Sequence, residues 1–270
     1  MKKMNELNDE KSMLSRRRFL ARASLFGGAV MLPQLAMPGV GQASPGDRRR
    51  VNNGLLLADQ NIIVAAEIAE ALAVTTYMNI INTAPFFGGL SLNDQVYLTA
   101  ALQEEMSHYA LLKSVSELPT PYTSFYYPPN MFQDPQTTAN ILVTLEDAFI
   151  AAYLVGVRNF STADLRVTAA RIMGIESDHR SLARVIAADL NLSTVTGAEN
   201  VAEEVNPANN NGYERTLKWT DISQAVDALT PFVSPAAAAK AGFDVNVSYP
   251  FQPFTPMLPV ELGDFISFNG

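Results

Sequence analysis

The 270-residue chain has no cysteine, only two histidines and a single tryptophan. Without cysteine, disulfide staples, thiolate metal sites, iron–sulfur clusters and a cysteine nucleophile are excluded together, so a bound metal must be held by oxygen and imidazole. Basic residues are scarce beyond the first 43 positions. Those positions carry seven Lys/Arg against three Asp/Glu, which leaves 12 against 24 and a net formal charge of −12 for the rest. So acidic a body repels phosphate backbones and anionic lipid, so neither nucleic-acid binding nor a membrane-surface role is expected. The one basic run it contains, Arg48 to Arg50, reads as a solvated, flexible segment spanning residues 44–58. Apolar residues are not lacking: 48% hydrophobic and 17% charged describe a globular chain with a real core.

Residues 1–43 read as an export signal, with a basic start, a short apolar middle around Ala23 to Leu32, and small residues at Gly41 and Ala43. That middle is too short and too glycine-rich for a permanent anchor. Ser15, Arg16, Arg17, Phe19 and Leu20 match the bacterial twin-arginine pattern, with Ala21 where lysine is common. The expectation is cleavage after Ala43, passage through the twin-arginine translocation machinery and a mature periplasmic chain with no stable membrane anchor.

The segment 59–190 reads as four long helices. The first runs from about Asp59 to Ile81 and is stopped by Pro85, Gly88 and Gly89. The second starts at Ser91, whose hydroxyl can cap, and runs to Glu117 before Pro119 and Pro121. The third opens with Asp134 as cap and Pro135 at the first helical position, where a missing N–H costs nothing, and reaches Asn159. The fourth covers Ala163 to Leu190. Short loops join the first pair and the last pair. Between the pairs stands "LPTPYTSFYYPPNMFQ", sixteen residues with four prolines, long enough to travel the length of a bundle. This predicts an all-α, up-down four-helix bundle with one long crossover between its second and third helices. Residues 191–270 form an extension with a loop at "NPANNNG", a short helix over Asp221 to Leu229 and a Pro-rich irregular arm.

Each histidine stands three residues after a glutamate, as Glu105/His108 and Glu176/His179. Residues i and i+3 share a helix face, so each pair can present a carboxylate and an imidazole to one point. The other two helices can each add one glutamate: Glu70, with Glu67 one turn earlier as its competitor, and Glu146. Tyr77 follows Glu70 by seven residues and Tyr153 follows Glu146 by seven, so the chain reads as a weak internal duplication of Glu…Tyr then Glu-x-x-His. The tyrosines are core residues or hydrogen-bonding groups. Glu104 faces solvent or a neighbouring helix, and Asp147 and Asp178 are candidates to orient the imidazoles. Four carboxylates and two imidazoles facing inward carry a heavy desolvation cost unless protonated or neutralised, and two divalent cations supply +4 against −4.

With these residues the chain resembles the ferritin-like superfamily of di-iron and di-manganese carboxylate proteins, in particular twin-arginine-exported bacterial members similar to the desiccation-related proteins. The resemblance implies a ferritin-like bundle and two Fe (or Mn) ions held by Glu70, Glu105, His108, Glu146, Glu176 and His179, with Glu105 and Glu176 as bridges. It also implies an oxidoreductase-type reaction of Fe(II) with O2 or peroxide in stress protection, possible homo-oligomers, and as alternatives a manganese catalase-like activity or a non-catalytic desiccation-related structural role.

Overall fold

A computed structural model describes residues 54–192 and 217–257 of the chain. The export segment 1–43 and the "NPANNNG" loop lie outside the described residues. Four helices make up the bundle: α1 (Leu57–Thr83), α2 (Leu92–Ser116), α3 (Pro135–Asn159) and α4 (Ala163–Asp189). Their ends follow from local chemistry. Ser91 Oγ accepts from Asp94 N at 3.1 Å at the start of α2. Asp134 Oδ2 accepts from Thr137 N at 3.0 Å, with Pro135 behind it, at the start of α3. Thr162 Oγ1 accepts from Leu165 N at 3.3 Å at the start of α4. The α3–α4 loop is tied back to α1, since Ser161 donates from both its backbone N and its hydroxyl to the buried carboxylate of Asp59.

α1 pairs with α2 and α3 with α4, while α1 also faces α3 and α2 faces α4. The hydrogen bond from Tyr77 on α1 to Glu146 on α3, and the one from Tyr153 on α3 to Glu70 on α1, set the directions. Residues 70 and 77 on one helix meet 153 and 146 on the other, so α1 and α3 run antiparallel at equal depth. The same argument applies to α2 and α4, where 105 meets 179 and 108 meets 176. Neighbouring helices are therefore all antiparallel, which requires the α2–α3 connection to return along the whole bundle. At about 1.5 Å per residue that is roughly 35–40 Å, which the crossover covers with an extended first part and a turn over residues 129–133. Gly156 lets α3 pack closely on its own C-terminal residue and on α4: a Cβ there would lie 2.9 Å from the Phe160 ring and 3.3 Å from the Ala169 Cβ.

The described part of the extension, residues 217–257, contains the expected short helix and two further elements. It forms α5 (Ile222–Val233), α6 (Pro235–Ala241) and a two-residue strand β2 (Tyr249–Pro250), which pairs antiparallel with β1 (Ser124–Phe125) of the crossover. α5 carries Pro231 within it and runs on past Leu229; Ser234 ends it and caps α6, where Pro235 takes the first position. α5 packs on α1 and α3. The backbone of the crossover finds its partners in this layer: Tyr126 N donates to Phe232 O at 2.8 Å, Asp244 N to Tyr127 O at 3.2 Å, and Phe251 N to Thr123 O at 2.9 Å. Tyr127 is the keystone, ringed by Phe132, Phe232 and Tyr249 at centroid distances of 4.9, 5.9 and 5.2 Å, with its hydroxyl 2.9 Å from Thr76 Oγ1 of α1. This outer layer explains a sequence feature of α1: buried almost continuously from Asp59 to Tyr77, it is covered on its outer face as well as its inner one, so it is apolar nearly all round.

Candidate functional site

At mid-depth the four helices bring six side chains together. α1 supplies Glu70, α2 Glu105 and His108, α3 Glu146, and α4 Glu176 and His179. They fall into two overlapping groups, Glu70–Glu105–His108–Glu176 and Glu105–Glu146–Glu176–His179, within each of which one donor atom per residue lies within 4.8 Å of the others. Glu105 and Glu176 belong to both. Glu105 turns Oε2 toward His108 Nδ1 (3.7 Å) and Oε1 toward His179 Nδ1 (2.9 Å); Glu176 turns Oε1 toward His108 Nδ1 (3.2 Å) and Oε2 toward His179 Nδ1 (3.6 Å). Each shared carboxylate thus gives one oxygen to each imidazole. Glu70 Oε2 stands 3.5 Å from His108 Nδ1.

The remaining oxygens are fixed from outside the cluster. Tyr77 donates to Glu146 Oε1 at 2.7 Å, and Tyr153 donates to Glu70 Oε1. Each tyrosine of the duplication therefore serves the glutamate of the opposite half, as a hydrogen-bonding group that is also buried core. One oxygen of each terminal glutamate is held, and the other, Oε2 in both, points inward.

His179 has a further partner that the sequence left undetermined. Its Nε2 lies 2.9 Å from Glu104 Oε2, so Glu104 turns to the neighbouring helix α4 and occupies the outer ring nitrogen, while Nδ1 is the nitrogen that faces the cluster. The duplication places Ile175 where a second Glu104 would stand, and among the described residues none bonds His108 Nε2. Asp147 and Asp178 do not orient the imidazoles. Asp147 is drawn into an ion pair with Arg180 at 2.9 Å, and Asp178 is exposed. Glu67 is buried beside the cluster with partners of its own, Ser116 Oγ at 2.7 Å and Lys113 Nζ at 3.3 Å.

The electrostatics show what the cluster needs. Burial, reinforced by Glu176 and Glu105, pushes the Glu70 carboxyl well above its ordinary range, and burial with the same two neighbours does so for Glu146. Burial acts on Glu105 in the same sense, but the charge of His179 and the contacts with His108, His179 and Glu70 outweigh it and hold Glu105 low. Burial alone would lower both imidazoles; the carboxylates around them, Glu70 foremost for His108 and Glu105 for His179, raise them instead. Proton sharing is thus the only internal means of neutralising the charge.

Hydrogen bonding does not complete the cluster. Eight buried donor atoms, namely Glu70 Oε2, both oxygens of Glu105 and of Glu176, Glu146 Oε2 and the Nδ1 atoms of the two histidines, have no hydrogen-bond partner among the described residues. Several lie near one another, close enough for charge attraction but out of line for a hydrogen bond. Inward-facing lone pairs on mixed carboxylate and imidazole donors fit a metal ion in number, chemistry and convergence.

Residues 58–189, which span α1 to α4, match the family model for a ferritin-like domain. No curated protein and no solved structure matches the chain.

Proposed function

From a ferritin-like bundle with this cluster at its centre, we propose that the protein is an exported metalloprotein with a dinuclear centre, iron by first assignment and manganese as the alternative, that reacts with dioxygen or peroxide in stress protection. The observation that carries the reading is the pair of shared carboxylates, each presenting one oxygen to each of two imidazole-bearing groups. Glu70 and His108 would complete one half and Glu146 and His179 the other, with Glu105 and Glu176 between them. The donor set suits Fe and Mn alike, and the preference for iron follows the family resemblance. Two ions bound there supply a two-electron couple between divalent and trivalent states, which can be oxidised by O2 (leaving, with two protons, as H2O2) or by H2O2 (leaving, with two protons, as two waters).

The chain's own side chains do the positioning. Tyr77 and Tyr153 hold the outer oxygens of Glu146 and Glu70, so that each terminal carboxylate offers its inner oxygen in a fixed direction. Glu104 holds the Nε2 proton of His179; with its side chain 35% exposed it also connects that imidazole to solvent, giving protons displaced from the cluster a way out. Buried apolar residues seal the rest, and His108, at 11% exposure, is the open edge.

The decisive experiment is metal analysis of the mature protein with an anaerobic Fe(II) titration followed optically. Two ions per chain are expected, and uptake of no more than trace Fe or Mn would end this reading. Oxygen release from peroxide by Mn-loaded but not Fe-loaded protein would select the manganese alternative. Because, among the described residues, His179 alone of the two imidazoles has a carboxylate on its outer nitrogen, Glu104→Ala should weaken one of the two ions by about 10–100-fold and leave the other unchanged, which a two-step titration resolves. Equal weakening of both steps would contradict the assignment of Glu104 to His179.

For the export step, the support is the Ser15–Leu20 motif and the basic, then apolar, then small-residue order of residues 1–43. Replacing Arg16 and Arg17 together by lysine should abolish appearance of the mature chain in the periplasm, as followed by cell fractionation. Undiminished export would remove the twin-arginine assignment.

A further inference from the structure

One side of the cluster is bordered by a cavity of about 30 Å³, whereas a single enclosed water needs roughly 10–15 Å³. Its walls are Ile62 of α1, Leu112 of α2, Ala152 of α3 and Ile172 of α4, all buried. Val115, Thr168 and Ile222 line it too and are partly exposed, which places its mouth there. Tyr153 belongs to both regions: its ring lines the cavity and its hydroxyl donates to Glu70. The space therefore leads from the surface to the residue that holds the Glu70 half of the cluster.

The lining decides what can occupy it. Tyr153 has its hydroxyl committed to Glu70, so apart from Thr168 at the mouth no polar side chain lines the walls. Water or hydrogen peroxide would have to give up hydrogen bonds there at a cost of several kcal/mol, and a hydrated ion more. An uncharged diatomic loses nothing, and apolar cavities of this kind stay dry and take up apolar guests. The open edge at His108 and the exposed Glu104 offer polar species a separate way in.

We infer that this cavity is a binding site for molecular oxygen, which makes O2 the oxidant delivered to the cluster by this route, separate from the polar one. The inference rests on reading the cluster as an oxygen-reactive metal centre, and its test is arranged so that the two can fail separately. In metal-free protein, methyl NMR under O2 pressure, referenced to argon, should show paramagnetic broadening concentrated on Ile62, Leu112 and Ile172, with little at Leu145, buried elsewhere in the core. Ala152→Leu, which fills the space, should abolish that broadening, and Ala66→Val is a milder filling variant should the first fold poorly by circular dichroism. After anaerobic Fe(II) loading, the filled variant should take up iron as the parent does, react with O2 about tenfold more slowly, and react with added H2O2 at the parent's rate. Uniform broadening across the core, or equal slowing with O2 and H2O2, would overturn the inference. Failure of the parent to bind iron would remove the metal reading alone, and the NMR result would then decide the cavity by itself.

Discussion

If the cluster holds two ions as proposed, Glu105→Ala or Glu176→Ala is expected to cut metal uptake from two ions per chain to fewer than one, while Glu70→Ala or Glu146→Ala leaves about one. The difference follows from sharing. Glu105 and Glu176 sit in both four-residue groups, so removing either takes a donor from each half and also removes a negative charge facing both imidazoles. Glu70 and Glu146 each serve a single half. Loss of a shared ligand should exceed the 10–100-fold typical of an outer partner, so more than about 100-fold in affinity at both steps is expected. Metal analysis after anaerobic loading measures it. Retention of two ions by Glu105→Ala would exclude a shared role. Thermal melts in chelator separate the same residues in another way. Burial, with Glu176 and Glu105, pushes the Glu70 carboxyl up, so its charge is costly in the metal-free protein and Glu70→Gln should lower the melting temperature less than Glu105→Gln does. Glu105, held low beside His179, carries a charge that neutralises buried imidazolium, so Glu105→Gln should lower it.

Phe232→Ala is expected to cost about 3–5 kcal/mol of stability, a fall in melting temperature of roughly 6–20 °C for a chain of this size. Phe232 is fully buried where three segments meet. Its ring contacts Tyr127 of the crossover and Phe243 after α6, at centroid distances of 5.9 and 5.1 Å, and its carbonyl accepts from Tyr126 N. Truncation leaves a cavity beneath Tyr127, whose hydroxyl anchors the layer to Thr76, the residue next to Tyr77. Leu92→Ala, at a site 75% exposed, is the control and should change stability by less than about 0.5 kcal/mol. Equal small effects from both changes would mean that the extension adds little to the fold. Differential scanning calorimetry of the two variants in chelator measures this without interference from metal.

The parts of the site that could be read from the sequence are those written within one helix. Glu105 and His108 share a face because of the helical repeat, and the seven-residue step to a tyrosine singled out Glu70 and Glu146 among nearby carboxylates. The bundle itself was legible in the cap residues at Ser91 and Asp134 and in the length of the crossover. Contacts between helices leave no such period. That Tyr77 serves Glu146 and Tyr153 serves Glu70 joins residues 69 and 83 positions apart, and it follows only once α1 and α3 are known to run antiparallel. Glu104 reaches His179 over 75 positions for the same reason. Asp147 is a candidate imidazole partner by sequence, but the guanidinium of Arg180 on the facing helix takes it in a charge-assisted bond. In the extension the sequence reading ends the short helix at Leu229, whereas the helix runs through Pro231 to Val233 and Pro235 begins a second one.

The outer cover of α1 has a consequence for biosynthesis. α1 is complete at residue 83, but the layer that shields its far side is not finished until residues 222–251 have been made, roughly 140 residues or more further on. At ribosomal rates of about 5–20 residues per second, a strongly apolar helix waits for on the order of ten seconds or more with one flank exposed to solvent. Until then that flank is open to contacts the finished fold does not contain.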